Sequence, residues 1–102
     1  MSSTDAERHI LLERRLALVG AMSALNAEAL RTLQQLAGIE IDVQRLEDEA
    51  GDGDMRDAAA LRAATDKAAA LRAAEADCAA RIGTVEAEMA EIDRRLAALA
   101  GY

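Results

Sequence analysis

The sequence predicts an all-α fold: an antiparallel two-helix coiled-coil hairpin that dimerises into a four-helix bundle. Three observations predict it. The first is composition: the chain has no Pro, Phe or Trp and a single Tyr, and it is rich in Ala, Leu, Glu and Arg. That is the profile of long helices and coiled coils, and the same residues are strong intrinsic helix formers. The second is a pair of apolar ladders, each advancing by alternating steps of three and four residues, the period that keeps one face of a slightly under-wound helix against a partner. The third is a five-residue hinge, Gly51 to Met55 (GDGDM), about which the ladders come into register.

The first ladder runs Leu11, Arg15, Leu18, Met22, Leu25, Ala29, Thr32, Leu36, Ile39, Val43, Leu46, Ala50. The second runs Leu61, Ala64, Ala68, Leu71, Glu75, Cys78, Ile82, Val85, Met89, Ile92, Leu96, Leu99. Paired outward from the hinge, Leu46 faces Leu61, Val43 faces Ala64 and Ile39 faces Ala68. The residue numbers of each pair add to 107, a rule that holds down to Leu11 and Leu96.

Helix 1 is expected from about residue 5 to 50, roughly 65–70 Å at 1.5 Å per residue. Met1 to Ser3 fray ahead of it. Thr4 is the expected N-cap, because Glu7 three residues on completes a capping box. Gly20 and Gly38 lie inside this helix; each costs about 1 kcal/mol relative to Ala, and they read as close approaches of another backbone or as tolerated surface glycines. Beside the main ladder runs a second apolar stripe, Leu12, Leu16, Val19, Leu30, Leu33, Ala37 and Ile41, interrupted midway by Ser23 and Asn26. A two-position seam leaves these large residues wet, whereas a helix in a bundle buries the broader face. The stripe is therefore expected to be a second binding surface, for a further copy of the chain or for a different helical or basic protein.

The turn is expected at 51–54. Gly51 is suited to the left-handed conformation that closes a helix, and Asp52 or Asp54 to capping the next. Helix 2 is expected from about 54 to 100, alanine-rich in its first half and bulky in its second. Alanines facing Val43 and Ile39 allow close approach near the hinge, and pairs such as Leu25 with Ile82 hold the open end wider.

No arrangement for chemistry is visible. The acidic tip, Glu47, Asp48, Glu49, Asp52, Asp54 and Asp57, fails as a calcium loop begun at Asp48: Ala50, Arg56 and Ala59 stand at its third, ninth and twelfth positions. It reads as capping carboxylates on a solvated turn, with docking of a basic partner as the alternative. Asp5, His9 and Glu13 share a helix face, but one imidazole with two surface carboxylates is a poor metal set. Cys78, on the seam opposite Ala29, reads as a small buried hydrophobe, an interchain disulfide across a symmetric dimer being the other reading. Thr32 and Glu75 face each other as a polar layer, and Arg15, opposite Ile92, snorkels. There is no Gly-rich phosphate loop, second His or aromatic wall, so no enzyme, cofactor or metal is expected.

Charge and cysteine usage narrow the partners. The net charge is −7, and without a basic stripe nucleic acid is disfavoured. A ridge of Arg8, Arg14, Arg15, Arg94 and Arg95, which folding gathers at the open end, is the feature that would revive it. One cysteine suits a reducing compartment, here the cytoplasm, and no apolar run reaches the roughly 20 residues of a membrane span. Arg14-Arg15 followed by Leu16–Leu25 has the outline of a twin-arginine leader. Asp5, Glu7 and Glu13 cancel its positive region, and the ladder passes through without a phase break, so the segment reads as helix.

The expected function is that of a non-catalytic, bacterial-type scaffold, adaptor or assembly factor presenting the second stripe to another helix. In architecture the chain is similar to the stalk hairpins of flagellar and type III export and to small cell-division coiled coils. That similarity implies an export-stalk or secretion-chaperone role as the second reading.

Overall fold

A helix opens with N–H groups that have no partner in the preceding turn, and here Ser2 meets one of them. Its Oγ accepts from the backbone N–H of Asp5 at 3.2 Å. The computed structural model describes residues 2–49 and 55–101. In it, α1 spans Ser3–Glu49 and α2 spans Met55–Leu99. The cap thus falls two residues ahead of Thr4, which is already helical. The Asp5 carboxylate, at the third position from Ser2, accepts from Arg8 at 3.1 Å. The expected turn at 51–54, the caps assigned to Gly51, Asp52 and Asp54, and the Ala50 rung lie outside the described residues. At its other end α2 closes on Gly101, which takes φ +85° while its N–H donates to the Ala98 carbonyl at 3.2 Å. That left-handed conformation is open to Gly at little steric cost.

The two helices pack against each other as an all-α hairpin through the two ladders. Every described rung of both is buried or half-buried. Outside the ladders only Thr4, Arg8, Glu28 and Asp57 among the described residues are shielded to a similar degree. Thr4, Arg8 and Asp57 are the rungs reached by carrying the same stepping outward. Ion pairs between the helices report the register independently. Arg14 meets Glu88 at 2.8 Å and Arg72 meets Glu40 at 3.5 Å. Their numbers add to 102 and 112, five to either side of 107, as the flanking positions of one antiparallel seam require.

The contacts divide the chain into two compact units, Met1–Ala27 with Ala79–Tyr102, and Glu28–Cys78. The first has a bulky core: Leu11, Leu18 and Ile92 are buried, with Val85, Met89, Leu96 and Leu99 packed on them. In the second, the residues most removed from water on α2 are small. Ala68 is 2% exposed, which a single methyl group achieves only when the facing helix lies down on it. Thr32 is buried there too, and its hydroxyl donates to the Glu28 carbonyl one turn back at 3.0 Å. Its one proton is therefore used within α1 and not on the half-buried Glu75. Among the described residues no buried side-chain polar atom lacks a partner, and no helix is long and apolar enough to cross a membrane.

Candidate interaction surface

One residue past a rung lies about 100° around the helix. Rungs 11, 15 and 18 are followed by Leu12, Leu16 and Val19, and rungs 29, 32 and 36 by Leu30, Leu33 and Ala37. Each unit thus carries one apolar trio, one position past its own rungs. Ser23 and Asn26, which follow rungs 22 and 25, separate the trios, and Ile41 adds a flanking residue. All of these are exposed. Exposure varies along the stripe: Val19 and Leu33, which follow the buried rungs Leu18 and Thr32, stand at 40% and 46%, while Leu16 and Leu30, which follow the half-buried Arg15 and Ala29, reach 72% and 57%. Ile10 and Met55 are also large, apolar and exposed. The periodicity assigned neither of them to a stripe, because each stands alone at its position.

Among the described residues nothing comes close to Gly20, Gly38 or Gly83; a Cβ built on any of them meets open space. Among those residues, then, these glycines do not serve a close approach of backbones.

The acidic tip is only partly brought together. Glu47, Asp48 and Glu49 are exposed and Asp57 is half-buried, while Asp52 and Asp54 lie outside the described residues. Asp48 accepts from Gln44 at 3.2 Å. Glu49 lies 3.6 Å from Arg45. These carboxylates turn to their own helix.

The arginine ridge is largely offset by carboxylates. Arg8 ends on Asp5, Arg14 on Glu88 and Arg15 on Asp93, while Arg94 and Arg95 share Glu91. The Arg15 Nε donates to Asp93 Oδ1 at 2.8 Å. This hydrogen bond holds the Asp93 carboxyl below its ordinary range and raises Arg15 above its own. Hydrogen bonding from Arg94, then its charge, lowers Glu91 likewise. Arg15 thus snorkels as expected, stem on the seam and head beside Ile92's neighbour.

The remaining clusters disperse. His9 Nε2 lies 3.1 Å from Glu13 and Asp5 faces Arg8, so the three groups do not converge. Among the described residues no three His, Cys, Asp or Glu side chains do. Cys78 is 1% exposed, which keeps its thiol from an interchain disulfide while the helices stay closed. A groove of about 380 Å³ lies along the second unit beside Val43, Thr65 and Ala68, crossed by the Glu40–Arg72 pair.

No protein-family model, curated protein or solved structure matches this chain. The surface itself carries what can be said of function.

Proposed function

We propose that the protein is a non-catalytic protein–protein interaction module, a small cytoplasmic coiled-coil scaffold, adaptor or assembly factor. It acts through the second face of α1, where it receives another helix and completes a four-helix bundle. The observation that carries the reading is the stripe of Leu12, Leu16, Val19, Leu30, Leu33, Ala37 and Ile41, all exposed. Each leucine moved from water into a packed contact contributes about 1.5–3 kcal/mol, and an uncovered row of them is where soluble proteins bind other proteins. Total surface points the same way. A compact monomer of 10.8 kDa exposes about 5,500 Å², whereas this chain exposes 7107 Å². The excess on one chain is more than the roughly 800 Å² that each partner gives up in an interface of standard size. A nucleic-acid partner has less behind it, since four carboxylates stand against the five guanidinium groups of the open-end ridge.

The test is solution mass by light scattering, with helicity by circular dichroism, on the native protein and on Leu30→Glu/Leu33→Glu. The expected native mass is above the 10.8 kDa of one chain, with the double variant returning to one chain and staying helical. A native protein that is already monomeric sinks the bundle. The stripe is then left to the helix of a different protein, and the double variant must abolish that capture for the module reading to stand.

A further inference from the structure

We infer that the helix received on this face is α1 of a second copy, antiparallel to the first, about a two-fold axis passing between Ala24 and Leu25. The inference rests on the interaction reading above and adds its occupant, orientation and register. The stripe is symmetric about that point. Counted outward, Ser23 meets Asn26 of the second copy, Val19 meets Leu30, Leu16 meets Leu33, and Leu12 meets Ala37, the numbers of each pair adding to 49. These positions step by three and four like the ladder itself, so each pair faces across an antiparallel seam. The stepping of three and four runs without a slip from Leu12 to Ala37 through Ser23 and Asn26, so both trios keep one phase in the sequence. The two polar residues that interrupt the stripe then face each other rather than leucine, and amide and hydroxyl can hydrogen-bond.

Symmetry alone does not choose the direction, because an in-register parallel pair also sets Ser23 on Ser23 and Asn26 on Asn26. Charge chooses it. The next seam positions outward are His9 and Asp5 at one end and Glu40 and Gln44 at the other, all four exposed. Antiparallel, His9 faces Glu40 and Asp5 faces Gln44. Parallel, Glu40 faces Glu40 and Asp5 faces Asp5, with like charges directly opposed. The present partners are exposed pairs, His9 with Glu13 and Glu40 with Arg72, and such pairs are exchanged at little cost. The whole helix repeats the argument. Residues 3–24 balance Asp5, Glu7 and Glu13 against Arg8, Arg14 and Arg15, while residues 25–49 carry six acids against Arg31 and Arg45. A parallel pair stacks the acidic half on itself. An antiparallel pair lays it along the neutral half and opposes the helix dipoles favourably.

Cysteine cross-linking tests this in a Cys78→Ala background, with Leu16→Cys and Leu33→Cys made in separate chains. Both sites are exposed, so the helices should survive, and circular dichroism checks each variant. Two Leu16 positions in the antiparallel pair lie about 25 Å apart along the axis at 1.5 Å per residue, far beyond the roughly 7 Å that a disulfide spans. Under mild oxidation the mixed chains are expected to give at least tenfold more covalent dimer than either chain alone. If each chain cross-links with itself as readily as the mixture does, the pair is parallel. The inferred register is then overturned while the interaction reading stands. A native protein of one-chain mass at all concentrations also overturns the inference. If in addition Leu30→Glu/Leu33→Glu changes no association with any partner, the interaction reading falls with it.

Discussion

Arg15 shows how a charged residue can occupy a rung of an apolar seam. Its stem takes the place of a hydrophobe and its head is held by Asp93 at 2.8 Å. The pair is solvent-exposed, so its contribution to stability is small, but it has a definite pH signature. A carboxyl whose pKa is depressed on folding contributes stability that is present above the unfolded carboxylate range and lost as pH falls through the folded value. Asp93→Asn is therefore expected to lower the melting temperature slightly at pH 7 and to leave it unchanged near pH 2. Circular dichroism melts of both proteins at the two pH values check this, and an equal difference at both would remove Arg15 as the cause. Gly38 gives a prediction of opposite sign. Since a methyl group there meets nothing, Gly38→Ala should gain about 1 kcal/mol from helix propensity, read as a shift in urea midpoint with unchanged slope.

Within α1, neighbouring leucines on different faces do different work. Leu18 is 4% exposed and lies in the core cluster; Leu16, two residues before it, is 72% exposed. Leu18→Ala is expected to cost about 2–5 kcal/mol, whereas Leu16→Ala leaves the stability of the isolated hairpin within about 0.5 kcal/mol. Urea unfolding of the two variants at low protein concentration separates these outcomes. The same contrast explains why so much of the fold was legible in the sequence. A seam is written in residue spacing, and the stepping that picked out Leu11, Leu18 and Ile92 also excluded Leu16. Details set by competing short-range bonds were not legible. Ser2, Ser3 and Thr4 are all capping residues by type, and composition alone does not choose among them. Thr32 and Glu75 were expected to face each other as a polar layer, and the spacing said nothing of where the Thr32 hydroxyl bonds; it donates to the Glu28 carbonyl, as threonine in a helix readily does. The candidate site was legible as an apolar stripe because apolarity is a property of the chain alone. Its occupant is a property of two surfaces, and only the central polar break and the end charges carry information about the second.

For the chain as a whole, the described core is thin. Eight hydrophobic residues are buried, two of them alanines, and a small core of this kind supports only modest stability. On the proposal that the stripe takes up a second copy, association contributes a large share of the total. The melting temperature of the native protein is accordingly expected to rise with concentration, as linkage to a bound partner requires, while that of Leu30→Glu/Leu33→Glu should not. Calorimetry over a hundredfold concentration range decides between them. How such a chain is to be watched unfolding is a separate matter, because one aromatic residue leaves fluorescence and near-ultraviolet dichroism almost blind to its interior. Cys78 supplies what they lack. There is one thiol per molecule, 1% exposed and pressed into the seam, so a thiol reagent can catch it only in the moments when the helices part. The slowing of that reaction, relative to the same cysteine in an unfolded peptide, is a stopwatch for the breathing of the hairpin, built into the chain and running without any label.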